Sequence, residues 1–251
     1  MNPRNFLING LIAGFIAGIF AFGVAHQVGE QYVDQSIAVE EANSAPAHHH
    51  HDEGGTVVSR EKQSTLGLLT ATLAIGIAFG GIVGIASAFA TGRLGRLRPA
   101  SSTAVVAGVG FVIFALAAWA KYPPNPPAVG RASTLGSRTA DYFSFQAISV
   151  VLGIAAVVTA AKLIRKHDAW IAVVAPALSW LVLVTVAGLL LPTVNEVPND
   201  FPANTLWGFR LSSIATQATM WGVIGIVLSG LVARTWNAAE KRRVLAESIR
   251  S

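Results

Sequence analysis

The sequence predicts an all-α integral membrane protein, a bundle of about six transmembrane helices with both termini in the cytoplasm. Only 12% of the 251 residues are charged, whereas a soluble domain has about 25%. Hydrophobic residues make up 53% of the chain, and the mean hydropathy is +0.55. Six segments without a charged residue have lengths close to the roughly 20 residues that cross a bilayer as a helix.

Together, the six segments make up about half of the chain. The fourth is the shortest, so its length supports it least as a span. For the first, the alternative is a signal peptide cleaved after Ala25, but its apolar run exceeds the roughly 7–15 residues of the hydrophobic region of a signal peptide. We therefore favour a retained span. The predicted spans are 6–25, 66–90, 103–120, 145–161, 170–191 and 211–233, within a membrane domain of residues 1–233 that precedes a basic tail at 234–251.

Loop charges predict the orientation of these spans. The side that carries both termini has twelve basic and three acidic residues, and the opposite side has six basic and ten acidic residues. The positive-inside rule places the basic side in the cytoplasm. The pI near 10.0 is also typical of nucleic-acid-binding proteins, but here it follows from the topology, so we predict no nucleic-acid partner.

Small and polar residues inside the spans predict contacts between helices rather than a functional site. Two series with a glycine at every fourth position predict close contact between the first two spans. They are Gly10, Gly14 and Gly18, and Gly76, Gly80 and Gly84. The amides at membrane depth, Asn9, Gln146 and Gln217, are expected to form interhelical hydrogen bonds, with ligation of a cation as the alternative. The absence of an ionisable residue inside a span argues against a proton relay or voltage sensor.

The outer loop 26–65 is the main candidate for metal chemistry. It has seven acidic and two basic residues. At its centre stand His48, His49, His50, His51, Asp52 and Glu53. Imidazole and carboxylate ligands suit Zn, Ni, Co or Fe(II), and the lack of cysteine disfavours Cu(I). The loop therefore predicts metal capture; a solvated polar loop and an inserted tag are the alternatives.

Two further sets of residues are candidate metal ligands. His26, Glu30 and Asp34 follow at i, i+4 and i+8, so a continued helix would carry them on one face. Because only neutral imidazole ligates, binding there should weaken below about pH 6.5. Glu196 and Asp200 lie among prolines in the last outer loop, which either holds these carboxylates at a pore mouth or only caps the helices.

Several classes of protein are excluded or disfavoured. The chain has no G-x-x-x-x-G-K-[ST] and no H-E-x-x-H motif, so neither a P-loop ATPase nor a zinc protease of that class is encoded. Without cysteine there is no disulfide, iron–sulfur or thiolate–zinc site. His26 and His167 are predicted at opposite membrane faces, which disfavours a haem carrier. We predict no enzyme and no tightly bound cofactor.

Three parts of the chain resemble the CbtA family of predicted bacterial cobalt transporter subunits. They are the glycine-ridged first span leading into residues 26–41, residues 121–130 (KYPPNPPAVG) and residues 191–211 (LPTVNEVPNDFPANTLWGFRL). The resemblance covers roughly residues 1–233. It implies cobalt uptake for corrinoid synthesis across the cytoplasmic membrane, with a small single-span, His-containing partner, CbtB. Glu196 and Asp200 lie in the matching loop and are carried over as site positions. The family is usually described with one span fewer than the six counted here.

Together these features predict a membrane subunit that admits a divalent metal, Co²⁺ above all, as transported ion. The His-rich loop would capture the ion, and His26, Glu30, Glu196 and Asp200 would remove its water at the mouth. The ligand types do not order Co, Ni and Zn. The alternatives are a non-transporting metal sensor or scaffold that acts through partners and a subunit of a membrane redox enzyme; a homo-oligomer is also left open.

Overall fold

The computed structural model describes residues 2–44 and 59–249, and these residues form an all-helical bundle. Six of its helices are long and apolar enough to cross a membrane. We label them α1 (residues 3–44), α2 (Arg60–Ala90), α3 (Pro99–Lys121), α4 (Ala132–Leu163), α5 (Ala169–Leu190) and α6 (Ala203–Ser248). Each predicted segment matches one of these helices to within a residue or lies inside it.

Several helices extend well beyond the charge-free segments. The shortest predicted segment, 145–161, belongs to an α-helix of 29 residues, Leu135–Leu163; charged residues in its first turns had ended the apolar count. α1 continues as helix beyond Ala25, the position of the alternative cleavage site, although its type changes there from α to π. α6 has 46 residues, or roughly 69 Å of helix, against a hydrocarbon layer of about 30 Å. Charge-free length therefore measures the membrane portion of each helix rather than the whole helix.

The two glycine series form the contact between α1 and α2, as predicted. A side chain on Gly14 would overlap the carbonyl oxygen of Gly76, and one on Gly10 would overlap that of Gly80. The two backbones are therefore in direct contact, which only glycine permits at these positions. α6 packs against both α1 and α3, and α5 packs against α4.

Three π-helical segments interrupt the described helices: Ala25–Gly29 in α1, Gln63–Gly67 in α2 and Phe111–Leu116 in α3. A π turn holds more residues than an α turn and weakens the regular ladder of backbone hydrogen bonds. In lipid, carbonyl groups released in this way need other donors.

Side chains of α4 supply such donors to the π-helical segment of α3. Gln146 Nε2 donates to the Phe114 carbonyl oxygen at 3.0 Å, and Ser149 Oγ donates to that of Ile113 at 2.6 Å. Gln146 and Ser149 are both buried. The expected interhelical hydrogen bonding of Gln146 is therefore confirmed, and it joins α3 to α4.

Candidate functional site

A cavity of about 640 Å³ lies between α1, α3 and α6, beneath the loops that connect α3 to α4 and α5 to α6. The π-helical segments border it: Ala25 and Gly29 line it from α1, and Phe114 lines it from α3. Leu68, which directly follows the π-helical segment of α2, lines it as well. Because π turns occur often at functional sites, their position here marks the cavity as a candidate site. Its polar lining includes Glu30, Asn125, Arg138, Tyr142, Arg210, Ser213, Thr216 and Gln217.

An aromatic cluster lies next to the inner end of this cavity. Trp221 follows one helical turn after Gln217, the last α6 residue that lines the cavity. Its ring centroid lies 5.4 Å from that of Phe79 and 6.0 Å from that of Phe114, and Phe79 and Phe114 are 5.1 Å apart. Only 6% of Trp221 is exposed. The three rings thus pack together on the side of the cavity nearer the chain termini.

His26, Glu30 and Asp34 all face the first turns of α2, which confirms that they share one side of α1. His26 Nδ1 lies 3.0 Å from the Ser64 carbonyl oxygen. Arg60 Nε donates to Asp34 Oδ1 at 3.0 Å, and Arg60 Nη2 pairs with Glu30 Oε2. The cation between the two carboxylates is thus a guanidinium.

Metal ligation at these residues stays a prediction. Within residues 2–44 and 59–249 no three His, Asp or Glu side chains are grouped so that they could hold a metal ion. His48 to His51 and Asp52 lie in segment 45–58, outside the described residues. Metal capture by that segment therefore also stays a prediction.

Glu196 connects its loop to the start of α4 through two hydrogen bonds and one ion pair. Its Oε1 accepts a hydrogen bond from Thr134 Oγ1 at 2.6 Å, and its Oε2 accepts one from the Arg131 backbone N–H at 2.8 Å. Arg138 Nε lies 3.5 Å from Oε2, and only 12% of the Glu196 side chain is exposed. The Thr134 hydroxyl, followed by the Arg131 amide, holds the pKa of Glu196 below its ordinary value. Asp200 is exposed.

Acidification should weaken this connection. Because the pKa of Glu196 is lowered on folding, its contribution to stability is complete above about pH 4.5, its ordinary pKa, and declines as the pH falls through the lower folded value. Glu196→Gln should lower the melting temperature at pH 7 and flatten its decline below pH 5. Thermal unfolding of the purified protein across that range measures both effects. Asp200→Asn is the control, and an E196Q profile that parallels the wild type would contradict the expectation.

The segments that carry the family resemblance meet at the cavity. Tyr122 Oη donates to the Pro192 carbonyl oxygen at 2.8 Å. Arg210 Nη2 donates to Asn125 Oδ1 at 2.9 Å, and both of these residues line the cavity. In the sequence, Arg210 is one of the six basic residues counted on the outer side, although its place inside the matching segment 191–211 was a signal of a further function.

Comparison with known proteins gives one match. Searches of the curated proteins and of the solved structures return no match. The profile of the family described as "Probable cobalt transporter subunit (CbtA)" matches residues 3–233. This range includes α1 to α5 in full and the predicted membrane segment of α6, residues 211–233, and it leaves the basic tail outside. The resemblance seen in the sequence is thus confirmed, and the chain belongs to the CbtA family of probable cobalt transporter subunits.

Proposed function

We propose that this protein is the multi-pass subunit of a divalent-metal uptake system, with Co²⁺ as its ion. The observation that carries the proposal is the family match, which extends over nearly the whole membrane domain. The cavity supports it, because the described residues line an open space between three helices with charged and polar side chains in its wall. By the positive-inside rule the cavity opens outward, to the periplasmic side of the bacterial cytoplasmic membrane.

The membrane potential can supply the driving force. An inside-negative potential favours entry of one elementary charge by about 2.3 kcal/mol per 100 mV, and hence of a divalent cation by about 4.6 kcal/mol. Capture by loop 26–65 raises the metal concentration at the outer face. The family suggests a partner subunit, and we expect a small single-span protein that carries histidines.

Two described residues are suited to receive the ion. With Nδ1 of His26 donating to the Ser64 carbonyl oxygen, its Nε2 is a free ligand, and metal-binding histidines are commonly oriented by such a bond. Gln217 Oε1 lines the way to the aromatic cluster and is buried without a hydrogen-bond partner in the described part of the chain. Glu30 also lines the cavity, but it must exchange Arg60 for the metal before it can ligate.

Deleting residues 48–51 should raise the cobalt concentration needed for half-maximal uptake several-fold. The maximal rate should change less, because capture affects occupancy of the entrance rather than passage through the bundle. Radioactive cobalt uptake by cells over a range of concentrations separates the two parameters. Replacing the four histidines by serine at constant loop length should give the same result as the deletion. Unchanged uptake at limiting cobalt would contradict a capture role.

Reconstitution tests the proposal as a whole. Proteoliposomes that contain the chain, with and without a single-span partner, receive an inside-negative potential and external Co²⁺, with Ni²⁺ or Zn²⁺ as competitors. The proposal requires potential-dependent cobalt accumulation in at least one preparation. Metal binding without accumulation in both preparations would overturn it and favour a sensor or scaffold.

A further inference from the structure

Arg210 brings a positive charge to the cavity without a carboxylate to balance it. Its Nη2 donates to Asn125 Oδ1, and its Cζ lies 5.7 Å from the centre of the Trp207 ring. Its Nε is buried and has no hydrogen-bond partner within residues 2–44 and 59–249, and no carboxylate in that part of the chain forms an ion pair with Arg210. An unpaired, partly desolvated cation is costly, and no carboxylate within the described residues offsets the charge of Arg210.

The other charged residues of the cavity wall have partners of opposite sign. Glu30 pairs with Arg60, and Arg138 lies beside Glu196. Among the described residues of the wall, the uncompensated charge is therefore that of Arg210. Such a charge attracts an anion and opposes the entry of a bare divalent cation.

The surroundings of Arg210 offer further hydrogen bonds to a ligand. Ser213 and Gln217 follow it at i+3 and i+7, on the same side of α6, and both line the cavity. Tyr142 lines it from α4. The volume of about 640 Å³ is within the roughly 300–1,000 Å³ typical of sites for small molecules.

We propose that Arg210 binds an oxyanion, a carboxylate or a phosphate group, in this cavity. The planar guanidinium matches the two oxygens of such a group and forms charge-assisted hydrogen bonds with them. The inference goes beyond the proposed function, because it assigns the cavity a ligand other than the metal. An anion held at Arg210 also removes the positive charge that opposes a divalent cation.

Anion binding can be measured without metal. The purified protein, in nanodiscs of neutral phosphatidylcholine and in buffer treated with a chelating resin, is titrated with citrate or with inorganic phosphate by calorimetry. We expect binding of at least one of them; the two titrations distinguish a carboxylate from a phosphate ligand. Arg210→Gln should weaken binding by a factor of ten or more, and Arg210→Lys should bind less tightly than the wild type. Arg234→Gln, at an exposed arginine of the same helix, should bind as the wild type does.

Two results would overturn the proposal: no binding of either anion by the wild type, or equal binding by R210Q. Should R210Q fail to fold, labelling of the wild type with phenylglyoxal gives the same test. Saturating anion should reduce labelling of Arg210, read by mass spectrometry, and leave Arg234 unchanged, whereas undiminished labelling of Arg210 would refute the site. Because these measurements contain no metal, their outcome is independent of the cobalt uptake result.

Discussion

Replacing Gly80 with leucine should prevent α1 and α2 from packing and leave little folded protein. Even the Cβ of an alanine at this position would overlap the Gly10 carbonyl oxygen and lie 2.6 Å from Gly14 Cα. Those are backbone atoms, which cannot relieve the overlap by a change of rotamer as a side chain can. Overpacking commonly costs about 1–3 kcal/mol, so we expect Gly80→Ala to cost about 3 kcal/mol and Gly80→Leu more. Unfolding in SDS, followed by circular dichroism, measures the difference.

Gly222→Ala in α6 is the matched control. A Cβ at Gly222 has no atom within 4 Å, and alanine is favoured over glycine in a helix by about 1 kcal/mol. Its stability should therefore equal or exceed that of the wild type. If G80A and G222A had the same stability, direct backbone contact between α1 and α2 would be refuted.

Truncating Trp221 to alanine should cost about 3 kcal/mol of stability. The indole is buried and packs against Phe79 and Phe114, so its removal leaves a void among rings that cannot close over it. Under the proposed function the same change also opens the inner end of the cavity, and ions should then leak through reconstituted vesicles. The SDS unfolding midpoint and the decay of an imposed potential measure the two effects.

Trp170→Ala supplies the comparison for Trp221. Trp170 is 73% exposed in the isolated chain and stands at the start of α5, away from the cavity. We expect a small change in its unfolding midpoint and no leak. Equal losses of stability in the two variants would contradict the packing role of Trp221 in the aromatic cluster. If vesicles containing W221A held the imposed potential as the wild type does, closure of the cavity by these rings would be contradicted.

The helices were predictable because bilayer thickness and backbone hydrogen bonding restrict what a charge-free segment can be. The two glycine series likewise predicted the contact between α1 and α2, since residues spaced four apart lie on one helix face. The fourth helix was underestimated because its first turns contain the charged Arg138 and Asp141 and the polar Ser144, although helix continues through all three.

The site was less predictable, because spacing shows which side chains share a face but not what they face. His26, Glu30 and Asp34 share a face as predicted, yet Arg60 lies about 30 positions away in the sequence and pairs with both carboxylates. Glu196 likewise meets Thr134 only after two helices have turned the chain back. Three arginines were counted only for the positive-inside rule, which says nothing of their place in the fold. All three lie at or beside the cavity: Arg60, Arg138 and Arg210.

The π-helical segment Ala25–Gly29 holds one residue more than the same stretch of α-helix would. An α-helix turns by about 100° per residue, so absorbing the extra residue of the π turn would rotate the following part of α1 by about that angle. Glu30 and Asp34 would leave Arg60, while the glycine contacts at Gly10 and Gly14 stay in place. Under the proposed function, the exchange of Arg60 for a metal ion at these carboxylates would need only a change of helix type over one turn, with the membrane-embedded half of α1 stationary.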